Sequence, residues 1–179
     1  LQLGANVNQL NGTNGTTSLW IASQKGFNLA IELLHQYGGD VNLPSTNGTT
    51  PLWIASQKGN QTTVELLLQL GANINASTTT TRINSLHIAT YENHLPIIRQ
   101  LIVNGMNVNE QTGNGTTSVW IASQCNYLDV VKELVELGCD VSIPSNTGIT
   151  PFMIACYYGS SDIVNYFFSI GAVTTSTST

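Results

Sequence analysis

Apolar residues fall along this chain in a repeated two-part pattern. A short string, Leu19-Trp20-Ile21-Ala22, runs into Ser23-Gln24-Lys25-Gly26, and the same eight residues return at 52–59. Variants of the string open at Leu86, Val119 and Phe152. The anchor positions 19, 52, 86, 119 and 152 therefore stand 33, 34, 33 and 33 residues apart. Each string is followed by a longer apolar run with helical spacing, as in Val130, Val131, Leu134, Val135 and Leu137. Self-similarity at this period marks a stack of small units, none of which buries its own apolar face.

Local chemistry divides each unit into two helices. Thr50-Pro51 and Thr150-Pro151 read as a capping hydroxyl followed by a ring already locked at a helical φ, and Thr17-Ser18 and Thr117-Ser118 keep the hydroxyl. Gly26, Gly59, Asn93, Asn126 and Gly159 share one column, and Gly and Asn are the residues that tolerate a left-handed helix end. The second helix stops at an all-glycine column, Gly38, Gly71, Gly105, Gly138 and Gly171. Asn-Gly pairs at 14–15, 47–48 and 114–115 predict turns between units. The third unit departs from the pattern. It has an extra residue in the run 78–81, Arg82 where others have Gly, and Asn84-Ser85 for Thr-Pro, so its loop is expected to be the most mobile and its helix start to have lost its cap.

The 33-residue period, the Thr-Pro-Leu-Trp-Ile-Ala string and the Gly-Ala-Asn-Ile-Asn type closing motif resemble the ankyrin-repeat family, whose unit carries a T-P-L-H-x-A signature. The resemblance covers essentially the whole chain. It implies an all-α repeat solenoid of helix–turn–helix units with a β-turn or hairpin projecting from each, and protein binding as the usual work. Residues 1–179 then read as one repeat domain. Its parts are the end of a preceding repeat at 1–14, repeats at 15–47, 48–81, 82–114, 115–147 and 148–173, and a tail at 174–179.

Composition narrows the partners. Charged residues are only 8%, and the polarity comes from 22 Thr and 19 Asn. The five bases, Lys25, Lys58, Arg82, Arg99 and Lys132, are spread out under a net charge of -5, so no basic stripe forms and nucleic acid is not an expected partner. No apolar run reaches membrane-spanning length. Three cysteines without a C-x-x-C pair favour a reducing, intracellular setting, cytoplasmic or nuclear. The sequons at Asn11, Asn14, Asn47, Asn60, Asn75 and Asn114 pull the other way, but a chain this rich in Asn, Gly and Thr produces them by chance.

Candidate chemistry is sparse. Trp20, Trp53 and Trp120 share a column with His87 and Met153, and are expected to pack between units with each indole N–H finding a partner. His87 reads as the structural histidine of the family, not a metal ligand, because His35 and His94 lie in other columns. Cys139 and Cys156 read as small core residues, and Cys125 has no histidine beside it. No catalytic residue, cofactor or metal is expected. Asn42, Asn75 and Asn109 resemble the asparagines that an asparaginyl hydroxylase oxygenates in such repeats, though the simpler role is to hold the loop between repeats.

The resemblance places binding in the concave groove, at turn tips and late in each first helix. The tips include Asn14 and Thr16, Asn47 and Thr49, Ile83 and Ile149. The helix positions are Gln24 and Lys25, Gln57 and Lys58, Tyr91 and Glu92, Gln124 and Cys125, and Tyr157 and Tyr158. Aromatic anchors dominate interface energetics, so Tyr91, Tyr157 and Tyr158 mark the stronger half. Three settings fit: an interaction module in a longer chain, a regulatory arm of a multidomain enzyme or channel, and a pathogen or viral effector seizing a host protein. The near-identical adjacent repeats and the Asn/Thr-rich composition point to recent duplication in an AT-rich genome. Neither end looks capped, since Leu1-Gln2-Leu3 is short and the last helix carries Ile163, Val164, Tyr166, Phe167 and Phe168. Continuation upstream or end-to-end association is therefore expected.

Overall fold

The computed structural model describes residues 4–172, so Leu1-Gln2-Leu3 and the tail at 174–179 lie outside the described residues. Among the described residues ten helices form five pairs: α1 (Ser18–Lys25) with α2 (Asn28–Gln36), α3 (Pro51–Gln57) with α4 (Gln61–Gln69), α5 (Ser85–Tyr91) with α6 (Leu95–Val103), α7 (Ser118–Gln124) with α8 (Leu128–Glu136), and α9 (Pro151–Tyr157) with α10 (Ser161–Ser169). One pair begins beside each of the five anchor positions 19, 52, 86, 119 and 152. The chain is thus an all-α repeat protein, and among the described residues no β-strand forms. The projecting loops are turns rather than hairpins. A lone antiparallel bridge, Ser77 to Asn84, is the nearest approach to a ladder.

Every first helix starts on a side-chain cap. Thr17, Thr50, Thr117 and Thr150 accept the backbone N–H three residues on, at 3.1, 3.2, 3.4 and 3.3 Å. Such a cap contributes about 1 kcal/mol. The third helix start has not lost its cap. Asn84 accepts the N–H of His87 at 3.0 Å, and the His87 ring accepts the Asn84 N–H at 3.3 Å, a reciprocal capping box. The left-handed column is as expected: Gly26 and Gly59 at φ 74°, Asn93 and Asn126 at 60°, Gly159 at 68°. Arg82 takes φ 51° in the turn column otherwise filled by glycine, a conformation that costs a residue with a Cβ roughly 1–2 kcal/mol.

The loops come in two lengths. Ser45, Thr112 and Ser145 each donate a backbone N–H to the carbonyl four residues on, whereas Asn11 donates to Thr16 and Thr78 to Ile83, five on. The extra residue is therefore present in the first loop as well as the third.

The fold gathers into two compact units, Leu1–Met106 with α1 to α6, and Asn107–Thr179 with α7 to α10. In the first, α3 packs between α1 and α5, and α4 between α2 and α6. Leu19, Ile31, Leu52, Leu67, Leu86, Ile98 and Leu101 fill the core at 1% exposure or less. In the second, α7 packs on α9 and α8 on α10 around Val119, Val131, Leu134, Ile163 and Phe167. On α10, Val164 and Tyr166 are half-buried and Phe168 is exposed.

Asparagine side chains join successive repeats within each unit. Asn42 donates to the carbonyl of Gly71 (3.1 Å) and accepts the N–H of Asn73 (2.6 Å). Asn8 does the same with Gly38 and Asp40, and Asn109 accepts from Asp140. The simpler role for this column, holding the loop between repeats, is seen at Asn42 and, as an acceptor, at Asn109; the Asn75 side chain does not repeat it.

Candidate protein-binding face

The candidate residues sit where each first helix ends and where each loop turns. Trp20 and Gln24, four apart on α1, share a face, and Lys25 closes the helix. Trp53, Gln57 and Lys58 repeat the arrangement on α3. Both glutamines are half-buried and both lysines exposed. Packing explains the identity of the buried Leu, Ala and Ser columns in these two helices; it does not explain identical exposed lysines. On α5 the same positions hold Tyr91, 57% exposed, and Glu92, with Ile83 half-buried in the loop before them.

In the second unit, Tyr157 and Tyr158 close α9. Tyr157 is 80% exposed, and its ring meets that of Tyr158 edge-on with centroids 5.1 Å apart. The Gln124 amide donates to the Tyr158 hydroxyl at 3.4 Å, and Ile149 is exposed in the preceding loop. This is an amphipathic aromatic ridge with polar atoms at its rim, the composition that anchors protein interfaces.

Two expected tip residues are not available. Thr16 and Thr49 are only 6% and 3% exposed, because the loop folds its threonine inward. The Asn47 carboxamide accepts both the N–H and the hydroxyl of Thr49, and the Asn11 carboxamide accepts the N–H of Thr16. Asn14 and Asn47 remain exposed at the tips.

The tryptophan column holds up in two cases of three. The Trp20 indole donates to the Thr49 carbonyl at 3.1 Å, and Trp120 to that of Ile149 at 3.0 Å. The Trp53 indole nitrogen is buried without a partner, contrary to expectation. The equivalent carbonyl there is that of Ile83, before the cap Asn84 and at the end of the loop with the added residue; like those of Thr49 and Ile149 it closes its loop by accepting a backbone N–H, but no indole reaches it.

The thiols are also not as expected throughout. Cys156 is exposed rather than in the core. It occupies the column of Ser23, Ser56 and Ser123, which are buried and donate to the carbonyl four residues back. Cys139 is half-buried, and burial, reinforced by Asp140, pushes its thiol up to about 12; burial also raises Cys125. A raised thiol is a poor nucleophile at neutral pH. Asp140 is held below the usual carboxylate range by the hydroxyl and N–H of Ser142. Among the described residues, no three His, Cys, Asp or Glu side chains gather as metal ligands would, and no helix is long and apolar enough to cross a membrane.

Sequence reasoning missed one feature on the second helices. A hollow of about 510 Å³ lies between α4 and α6, lined by Glu65, Leu68, Pro96, Arg99 and Val103 among others. Alternating charge and amide side chains there gave no motif to find.

The family model for ankyrin repeats, described as three copies, matches residues 1–78 and 86–178. The chain belongs to the ankyrin-repeat family, whose members are in general protein–protein interaction modules and typically not enzymes. No curated protein matches the sequence.

Proposed function

We propose that this chain is a non-catalytic module that binds a partner protein along the family's groove, formed by first-helix ends and loop turns. The observation that carries it is the exposed Tyr157–Tyr158 pair beside Ile149 and Gln124, with Tyr91 in the corresponding place of the first unit. The three cysteines form no disulfide, in keeping with an intracellular setting. A photo-crosslinking residue at Gln124 identifies the partner, and its affinity is then measured against variants. Tyr157→Ala or Tyr158→Ala weakens binding by about 1–3 kcal/mol, as truncated anchors do. Lys25→Ala with Lys58→Ala has the smaller effect. Loss of binding with the lysines alone, and none with either tyrosine, overturns the assignment.

End-to-end self-association is a second reading. It is favoured by the exposure of Met153, Cys156 and Phe168, since the Cys156 column is fully buried at Ser23, Ser56, Thr90 and Ser123. Sedimentation velocity across a hundredfold concentration range tests it, and a constant monomer removes it.

A further inference from the structure

Lys25 closes α1, and Lys58 follows α3 at the corresponding place; both are exposed, and among the described residues neither is held by an ion pair. Glu92 follows α5 at the next equivalent place and is exposed as well. Since α1, α3 and α5 pack side by side, these residues form a lane with the charge order plus, plus, minus. Packed helices lie about 8–10 Å apart, which sets the step along the lane. The half-buried Trp20 and Trp53 rings run beside it with the same step.

A partner that reads this lane must present like groups at that step and on one side. A β-strand does not: its same-face positions i and i+2 stand only about 6.7 Å apart, and i and i+3, about 10 Å apart, face opposite ways. A polyproline II segment does: three residues make one turn and rise about 9 Å, so positions i, i+3 and i+6 share a face. Aromatic-lined grooves are the surfaces on which such segments dock. Charge distribution places this partner on the first unit. Leu1–Met106 holds Lys25, Lys58, Arg82 and Arg99 against Glu32, Asp40, Glu65 and Glu92, whereas Asn107–Thr179 holds Lys132 alone against six acids.

We propose that the first-helix ends of Leu1–Met106 bind a proline-rich extended segment carrying acidic side chains at i and i+3 and a basic one at i+6. The acids pair with Lys25 and Lys58, and the base with Glu92. This deepens the groove reading above and rests on it. The lane contributes register and selectivity more than total affinity, which is the usual part played by rim charges.

The probe is a labelled peptide, Glu-Pro-Pro-Glu-Pro-Pro-Arg, with its reversed sequence, because chain direction is open. Fluorescence anisotropy at low ionic strength compares it with Glu-Glu-Pro-Pro-Pro-Pro-Arg, which has the same composition and charge. The spaced peptide, in one direction or the other, binds at least tenfold more tightly. The variant Lys25→Glu, Lys58→Glu, Glu92→Lys loses it and gains Lys-Pro-Pro-Lys-Pro-Pro-Glu; all three positions are exposed, so the fold tolerates the exchange. Equal binding of spaced and clustered peptides overturns the proposal, as does failure of every peptide. Tighter binding of an alanine-rich helix with glutamates seven apart also overturns it, because that helix offers the same step. The Tyr157→Ala and Tyr158→Ala variants touch none of these residues and are measured on the crosslinked partner rather than on these peptides, so failure here leaves the groove reading to be judged separately.

Discussion

The loops at 45–49 and 78–83 occupy equivalent places after near-identical helices, yet they treat the tryptophan below them differently. The shorter loop turns at Gly48, φ 84°, and its last carbonyl satisfies the Trp20 indole. The longer one turns at Arg82 and leaves the Trp53 indole buried and unpaired. A buried donor without a partner costs about 1–3 kcal/mol, comparable with the strain at Arg82. Helix capping is intact in both repeats, so the weakness of the third unit is confined to the loop. A single inserted residue separates a satisfied joint from a frustrated one.

The largest test of this contrast is Gly48→Ala. A Cβ there would meet the Thr79 backbone nitrogen at 2.7 Å, in a conformation alanine disfavours, so a loss of about 2–3 kcal/mol is expected in urea unfolding. If Gly48→Ala is neutral, the close approach of these two loops is wrong. Next, replacing 78–83 by the five residues of 45–49 should give Trp53 a carbonyl and remove Arg82 from the left-handed region. A gain of about 1–2 kcal/mol, with a shifted Trp53 emission, is the expected outcome. Third, Trp20→Phe should cost about 1 kcal/mol more than Trp53→Phe, because only the first breaks a hydrogen bond. Equal costs would mean that the Trp53 indole has found a partner in solution. The smallest effect concerns helix starts. Thr117-Ser118 stands where Thr50-Pro51 has its ring, and the Ser118 hydroxyl is buried without a partner, so Ser118→Pro should stabilise by about 0.5–1 kcal/mol.

Helix pairs, caps and helix ends are legible in the sequence because each rests on one residue type with one local reason. Thr before an apolar string caps; Gly or Asn nine residues on turns left-handed. The extra residue of the first loop was also legible. Leu19 follows Asn8 by eleven residues, as Leu86 follows Asn75, against ten from Asn42 to Leu52. What the sequence did not reveal depends on packing across repeats. Thr16 and Thr49 look like polar tip residues, but their loops turn them inward. Cys156 shares a column with buried serines and is nonetheless exposed. The unpaired Trp53 indole lies in one column with the paired indoles of Trp20 and Trp120, a difference that composition does not encode. Of the candidate binding residues, the exposure of Tyr157 and the lysines follows from their place at helix ends, whereas the edge-on contact of Tyr157 with Tyr158 needed coordinates.

The asparagine bridges bear on how such a chain grows. Asn42 contributes both hydrogen bonds of its joint from one repeat, and the next repeat supplies only main-chain atoms, the Gly71 carbonyl and the Asn73 N–H. The receiving half is therefore generic. A gene segment copied in tandem arrives with a donor side chain at one edge and a compatible backbone at the other, so no compensating substitution is required for the copy to dock. A length change of one whole repeat keeps both halves of this joint, whereas the one added residue above Trp53 goes with an indole left unpaired.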